Sequence, residues 1–162
     1  MNSSYNDKHS VVLHIKDLFQ NCEIDDCYAL GNTFAFKKGF WILEVDPSWR
    51  ILDGKIPLFG SNDVGGREQD RIDQYLSFFD SYCEVLSSFK RCRIEQISIN
   101  EFCDFELVMS NGMVIQKFSD IVLDSSSRDA ALLNLESGLG VSFGCGFVEV
   151  RYVENGPTIR LT

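Results

Sequence analysis

Short segments of the first half of the chain recur in the second half at almost constant spacing. Three pairs lie 70 residues apart: Cys22 and Cys92, Ile24 and Ile94, and Cys27 and Ile97. The spacing is 71 residues for the pairs Phe34/Phe105 and Phe36/Leu107, and 73 for Gly39/Gly112. It is 84 residues for the pairs Gly54/Gly138, Phe59/Phe143 and Gly60/Gly144. Spacings that rise only at turns indicate a duplicated unit with loop insertions, since exposed loops tolerate insertion. Chance similarity among short apolar stretches is the alternative.

Residues 103–120, CDFELVMSNGMVIQKFSD, show what such a block predicts. Phe105, Leu107 and Met109 alternate with other residues, which is the pattern of a half-buried strand. Asn111-Gly112 supply the positive φ angles of a tight turn, and a second strand returns to Phe118. Residues 33–45 have the same form, so we interpret this hairpin as scaffold.

Two segments have the spacing of amphipathic helices. Residues 10–20 place Val11, Ile15, Leu18 and Phe19 on one face, with Asp7 or Ser10 as the N-cap. A short strand at 11–15 is the alternative. Residues 66–89 predict a longer helix with an apolar stripe formed by Ile72, Tyr75, Leu76, Phe79, Cys83, Leu86 and Phe89.

These elements predict an α+β fold with two tandem related helix-plus-antiparallel-hairpin units. The units would cover about residues 10–62 and 80–146, joined by a connector and long helix at about 63–89. One unit alone would expose a sheet edge and an apolar face. We therefore expect both units to pack into one domain, residues 1–162, with pseudo-twofold character; the length suits a single core.

The charge balance restricts the partners. Fifteen Lys and Arg against 24 Asp and Glu give a net charge of −9. Such a surface repels nucleic-acid phosphates and attracts basic proteins, although it also serves solubility alone. No apolar run approaches the roughly 20 residues that span a bilayer, and the polar N-terminus lacks a signal-peptide layout. The sequence therefore predicts a cytoplasmic protein that binds neither nucleic acid nor membrane.

No motif for catalysis, metal or cofactor binding is evident. The six cysteines lack paired CxxC spacing, and His9 and His14 are the only histidines. We expect most thiols to be core residues rather than disulfides or zinc ligands. GSNDVGG at 60–66 lacks the lysine and the glycine spacing of phosphate-binding loops. We therefore predict a non-enzymatic protein without a cofactor; catalysis by a thiol such as Cys22 or Cys27 is the alternative.

Acidic side chains are the candidate partner-binding residues. A carboxylate pair follows Cys22, and the polar face of the second helix carries more acids than bases. The candidates are Asp25, Asp26, Glu68, Asp70, Asp73, Asp80 and Glu84. An ordinary solvated face is the alternative interpretation. Trp49 is open to either a core or an interface role.

Three elements of the sequence resemble those of small bacterial immunity proteins. They are Trp49-Arg50, Gly60-Ser61-Asn62-Asp63, and the hairpin of Asp104, Phe105, Leu107 and Ser110-Asn111-Gly112. Such proteins accompany polymorphic toxins, including those of contact-dependent growth inhibition. The resemblance covers about half of the chain and differs at Leu133, where the pattern has a tryptophan. It implies no catalytic residues.

The resemblance implies an antitoxin that binds a cognate, basic, nuclease-type toxin domain and occludes its active site or substrate groove. Acidity fits that role, since it would steer association with a basic partner. We expect a monomer or weak homodimer. The alternative is a non-catalytic ligand-binding or regulatory accessory domain.

Overall fold

The computed structural model describes residues 7–30, 33–46, 48–61, 72–118, 130–144, 147–152 and 159–161. Within these ranges lie two helices and twelve strands. The helices are α1 (Lys8–Phe19) and α2 (Ile72–Ser88). The strands are β1 (Asp26–Leu30), β2 (Thr33–Lys38), β3 (Trp41–Val45), β4 (Trp49–Asp53), β5 (Ile56–Gly60), β6 (Ile94–Ile99), β7 (Phe105–Met109), β8 (Met113–Lys117), β9 (Ala130–Asn134), β10 (Leu139–Gly144), β11 (Phe147–Tyr152) and β12 (Ile159–Leu161).

The strands form two antiparallel sheets. The seven-stranded sheet has the order β1-β2-β3-β9-β10-β11-β12, and the five-stranded sheet has the order β5-β4-β8-β7-β6. Strand β3 pairs with β9, and β4 pairs with β8. The larger sheet therefore combines the meander β1–β3 with the four strands β9–β12, and the smaller sheet combines hairpin β4–β5 with the meander β6–β8.

The predicted α+β fold of tandem helix-plus-hairpin units is wrong. Strands dominate the described residues, and only two helices accompany them. The units do not form separate modules, because hairpin β4–β5 completes the sheet of β6, β7 and β8. The similar hairpin sequences predict the hairpins themselves, because a hairpin depends on residues close in the chain. They do not predict which strands of the two halves pair, because that depends on which sheet edges and apolar faces meet.

The individual hairpins and the first helix are confirmed. Strands β2 and β3 form the hairpin predicted at 33–45, and β7 and β8 form the one predicted at 103–118. Helix α1 spans the first predicted helix, with Asp7 as its N-cap. The second helix is described from Ile72 to Ser88, while its predicted beginning and the connector at 62–71 lie outside the described residues.

The inner faces of the two sheets form one core. Phe105 of β7 contacts Phe143 of β10, with ring centroids 5.5 Å apart. Phe34 of β2 contacts Trp49 of β4 at 4.9 Å. Strand β7 shows the alternation that builds such a core, since Phe105, Leu107 and Met109 are buried and the residues between them are half-buried. Trp49, whose role the sequence leaves open, is a core residue at 2% exposure.

Each helix packs an apolar face against this core. Val11, Ile15 and Phe19 of α1 are fully buried. In α2 the buried face includes Tyr82, whose ring stacks on Trp49 at 5.9 Å. Leu86 and Phe89 of the predicted stripe are buried, whereas Phe79 is 39% exposed and the buried Tyr82 was not predicted. Neither helix is long and apolar enough to cross a lipid bilayer, within the described residues.

Residues 21–24 and 91–94 bind each other through reciprocal backbone hydrogen bonds. The amide of Ile24 donates to the carbonyl of Cys92, and that of Ile94 donates to Cys22. The amide of Asn21 donates to the carbonyl of Ile94, and the Arg91 amide donates to Ile24. Adding 70 to a residue number in the first segment gives its equivalent in the second, so each hydrogen bond has a counterpart with donor and acceptor segments reversed. The equivalent residues Asn21 and Arg91 both have a positive φ, of 60° and 66°. The proposed duplication itself stays a prediction.

Candidate binding surfaces

The predicted acidic residue Asp25 lies beside the β2–β3 turn. Its Oδ2 accepts a hydrogen bond from the Gly39 amide at 2.5 Å, and its Oδ1 lies 3.6 Å from Nζ of Lys38. The hydrogen bond from Gly39, assisted by the positive charge of Lys38, lowers the pKa of Asp25 below its ordinary value. Asp25 therefore holds the turn in place while its side chain remains exposed.

Asp26 begins β1 on the outer face of its sheet. Its Oδ1 lies 3.9 Å from Nζ of Lys90, which follows α2 directly, and accepts a hydrogen bond from the Cys27 amide at 3.0 Å. Ion pairs between exposed side chains contribute little to stability. Lys90 does, however, offset part of the negative charge expected on this surface.

The remaining predicted acids are distributed around α2. Asp80 and Glu84 lie one turn apart and are exposed. Asp73 lies within α2, but its side chain is not described, and Glu68 and Asp70 lie outside the described residues. Helix α2 contacts β1, and Lys90 after its C-terminal end lies near Asp26.

An exposed apolar pair that the sequence analysis missed lies at the end of the larger sheet. Phe40 is 58% exposed and Leu135 is 56% exposed. The Leu135 amide donates to the carbonyl of Phe40 at 2.8 Å, so the turns that carry them touch. Phe40 lies in the turn before Trp41, outside β3. One feature of the sequence could have indicated that Phe40 lies in the turn: it directly follows Gly39, the glycine of that turn.

Side-chain hydrogen bonds hold both turns. The Oδ1 atom of Asn134 accepts from the amides of Glu136 and Ser137 at 3.0 and 2.9 Å. Asp25 holds Gly39 in the other turn. Glu136 is exposed next to Leu135. We call Phe40, Leu135, Asp25 and Glu136 the turn surface; it combines an apolar centre with two carboxylates.

Helix α1 reaches the same end of the sheet. The ring centroid of His14 lies 5.0 Å from that of Trp41, in an edge-to-face contact. Burial lowers the pKa of His14, and the nearby negative charge of Asp17 partly opposes that shift. Leu13 is 47% exposed on the outer side of α1.

The structure bears on the reactivity of one described thiol, that of Cys27. Cys22, Cys27, Cys83, Cys92 and Cys103 are free. Burial, with the negative charge of Asp26, raises the pKa of Cys27 far above its ordinary value, which disfavours the nucleophilic thiolate. The described ranges contain no group of three or more His, Cys, Asp or Glu residues arranged to hold a metal ion.

A surface cleft of about 410 Å³ lies at one end of the five-stranded sheet, beside α1. Its charged lining residues are Lys16, Asp104, Glu106 and Lys117. Strands β6 and β8 end here and β7 begins here, and the lining residues other than Lys16 all belong to the second half of the chain.

No protein-family model, curated protein or solved structure is detectably similar to this chain.

Proposed function

We propose that this protein is an immunity protein, which binds a basic toxin domain through the turn surface and blocks its active site or substrate groove. The observation that carries this proposal is the contact between the turns of Phe40 and Leu135. Two large apolar side chains more than half exposed lie on hydrogen-bonded turns; Asp25 bonds to Gly39, which precedes Phe40, and the exposed Glu136 follows Leu135.

The chemistry of the turn surface favours a protein partner. Buried apolar anchors surrounded by polar residues contribute most of the affinity in protein interfaces. Phe40 supplies a rigid aromatic anchor, and the hydrogen bonds of Asp25 and Asn134 hold the turns before binding. A preordered surface loses less conformational entropy on association.

Net charge supports a basic partner. The charge of −9 attracts a cationic domain over about one Debye length, roughly 8 Å at physiological ionic strength. A nuclease toxin carries positive charge where it holds nucleic-acid phosphates, so a carboxylate-edged surface competes for that groove. Neutralisation then needs only occlusion, without a chemical step by this protein.

The resemblance to immunity proteins concerns the scaffold. Trp49 of its Trp-Arg element is buried in the core, and its Asn111-Gly112 element forms the β7–β8 turn. These residues support the fold on which a binding surface is carried, and they do not identify the partner.

The decisive experiment is a pull-down of the tagged protein from cells that express a candidate basic toxin domain encoded next to it, followed by calorimetry on the purified pair. We expect a complex that weakens as salt increases, together with loss of toxin activity in the complex. Failure of a soluble, active toxin domain to bind would contradict the proposal.

Matched variants locate the interface. Phe40→Ser combined with Leu135→Ser should weaken binding by about 100-fold or more, since hot-spot residues contribute roughly 2 kcal/mol or more each. Ile56→Ser is the control, because Ile56 is 68% exposed but belongs to β5 of the other sheet. Equal losses in the double variant and in the control would reject the turn surface.

Charge reversal distinguishes the turn surface from the acidic face of α2. Glu136→Lys should lower the association rate at low salt, whereas Glu84→Lys on α2 should have a smaller effect, because charges at the rim of an interface act chiefly on association. The opposite ranking would place the interface on α2.

A further inference from the structure

The two ladders that join the halves of the chain are equivalent. In each, the third strand of a meander pairs with the first strand of a hairpin from the other half, either β9 of β9–β10 or β4 of β4–β5. Both ladders contain five residue pairs in matching register, one from Trp41/Asn134 to Val45/Ala130 and the other from Met113/Asp53 to Lys117/Trp49. Each hairpin therefore pairs with the meander of the other half and not with its own neighbour in the chain.

The N-terminal unit, residues 1–46 with α1 and β1–β3, is joined to the rest of the molecule by noncovalent contacts as well as by the chain. Besides the β3–β9 ladder, backbone hydrogen bonds connect residues 21–24 to residues 91–94. The ring of Phe34 also packs against that of Trp49, with centroids 4.9 Å apart. A second copy of the chain offers the N-terminal unit the same partners.

A short connection leads from the N-terminal unit to the rest of the chain. Strand β3 ends in the larger sheet and β4 begins in the smaller one, so only the three residues 46–48 cross between the sheets. The equivalent connection between β8 and β9 has twelve residues, 118–129. Short connections under strain favour exchange of segments between copies, because exchange lets the connection extend.

Ser48 shows that this short connection is strained. Its φ is 73°, in the left-handed region that a residue with a Cβ atom adopts only at a cost. The Ser48 amide donates to Oγ of Ser61 at 2.9 Å, and the Ser48 carbonyl accepts from the Phe118 amide at 2.8 Å. These bonds to the smaller sheet hold Ser48 in its unfavourable conformation.

The other end of the connection belongs to the N-terminal unit. Oδ1 of Asp46 accepts a hydrogen bond from Oγ1 of Thr33 at 3.2 Å. Proline at position 47 disfavours helical conformations of Asp46, so the backbone before it is biased towards the extended form that an exchanged connection requires. The two ends of the connection are thus held by different units, which can separate by opening it.

We propose that two copies of this chain exchange their N-terminal units and form a dimer. In this dimer β3 of one copy pairs with β9 of the other, and the contacts between the units are made between copies instead of within one. Only the connection changes, because it opens and Ser48 leaves the left-handed region. Each turn surface then takes Phe40 from one copy and Leu135 from the other. The exchange does not depend on the proposed function.

The test is size-exclusion chromatography with light scattering on the full chain, after incubation in urea near the unfolding midpoint and dilution into buffer. We expect a dimer after incubation at about 1 mM chain and monomer alone after incubation at about 1 μM, since formation of the dimer follows mass action. Monomer alone at both concentrations would overturn the proposal.

A disulfide across the β3–β9 ladder distinguishes exchange from association of intact monomers. Residues 44 and 131 are opposite each other, and the Cα atoms of such pairs lie within disulfide reach. In Glu44→Cys combined with Ala131→Cys, we expect the oxidised dimer to remain a dimer on a denaturing, non-reducing gel. The monomer fraction is the control, because its disulfide lies within one chain. A dimer that separates into internally cross-linked chains would contradict exchange.

Relief of the strain at Ser48 should favour the monomer. Ser48→Gly should lower the dimer fraction about fivefold or more, because glycine adopts a positive φ without a Cβ clash. Arg91→Gly is the matched control, since Arg91 has a φ of 66° but lies outside the connection. An unchanged dimer fraction in Ser48→Gly, or an equal decrease in both variants, would reject the proposal.

Discussion

At the residue scale, Phe105 shows how a single side chain connects the two sheets. It is 4% exposed, it belongs to the five-stranded sheet, and its ring meets that of Phe143 in the seven-stranded sheet. Removing such a ring leaves a cavity that neighbouring side chains fill only in part.

We predict that Phe105→Ala lowers the free energy of unfolding by about 3–5 kcal/mol. Urea denaturation followed by circular dichroism measures this loss. Phe102→Ala is the matched control, because Phe102 is 48% exposed and its truncation should cost less than about 1 kcal/mol. Similar losses for the two variants would show that Phe105 is not part of the core.

The Asp25 carboxylate gives the fold a specific pH dependence. Its pKa is lower in the folded chain than the ordinary value of 3.8, chiefly because the Gly39 amide donates to the ionised form. Its stabilising effect is therefore fully present above the unfolded pKa and is lost as the pH falls through the folded pKa.

We predict that the stability difference between the parent and Asp25→Asn is largest near pH 6 and shrinks below about pH 4. Unfolding free energies measured between pH 3 and pH 7 check this. In a Lys38→Met background most of the difference should remain, since the Gly39 hydrogen bond is the larger cause. A difference independent of pH would contradict the assignment.

At the element scale, α1 begins at a complete capping box. Oδ1 of Asp7 accepts from the amide of Ser10, and the Ser10 side chain bonds back to the Asp7 backbone. These contacts satisfy amides that the first turn of a helix leaves without intrahelical partners.

We predict that Asp7→Ala destabilises the protein by about 1 kcal/mol. Thermal unfolding measures the effect, and Asp7→Asn should recover most of it, because asparagine is an equally good N-cap. An unchanged unfolding temperature in Asp7→Ala would mean that the first turn of α1 contributes nothing to stability.

At the scale of the whole molecule, strand pairing makes the two halves interdependent. The β3–β9 and β4–β8 ladders each join a strand of one half to a strand of the other. A separated half therefore loses one ladder in each sheet and leaves strand edges and apolar faces unpaired.

We predict that fragments 1–66 and 67–162 show no cooperative unfolding transition by themselves. Their equimolar mixture should regain the dispersed NMR spectrum of the intact chain, as the missing ladders form between fragments. Cooperative melting of either isolated fragment would contradict this interdependence.

The sequence by itself determined the local elements. Alternation and an Asn-Gly turn identified hairpin β7–β8, and 3.6-residue spacing after Asp7 identified α1. These patterns reflect interactions among residues close in the chain, which explains why they can be read without a structure. The choice of Asp25 as a partner-binding residue stays a prediction, and its hydrogen bond with Gly39 was not part of it.

Only the tertiary structure decided which hairpin joined which sheet and which side chains met at a surface. Pairing of β3 with β9 brings Phe40 beside Leu135 and leaves both exposed. Approach of α1 to the end of the five-stranded sheet makes Lys16 part of a cleft that residues 98–106 and 116–118 also line. These contacts join residues far apart in the chain, and they form because each sheet needs strands from both halves to pair its edges and cover its apolar face.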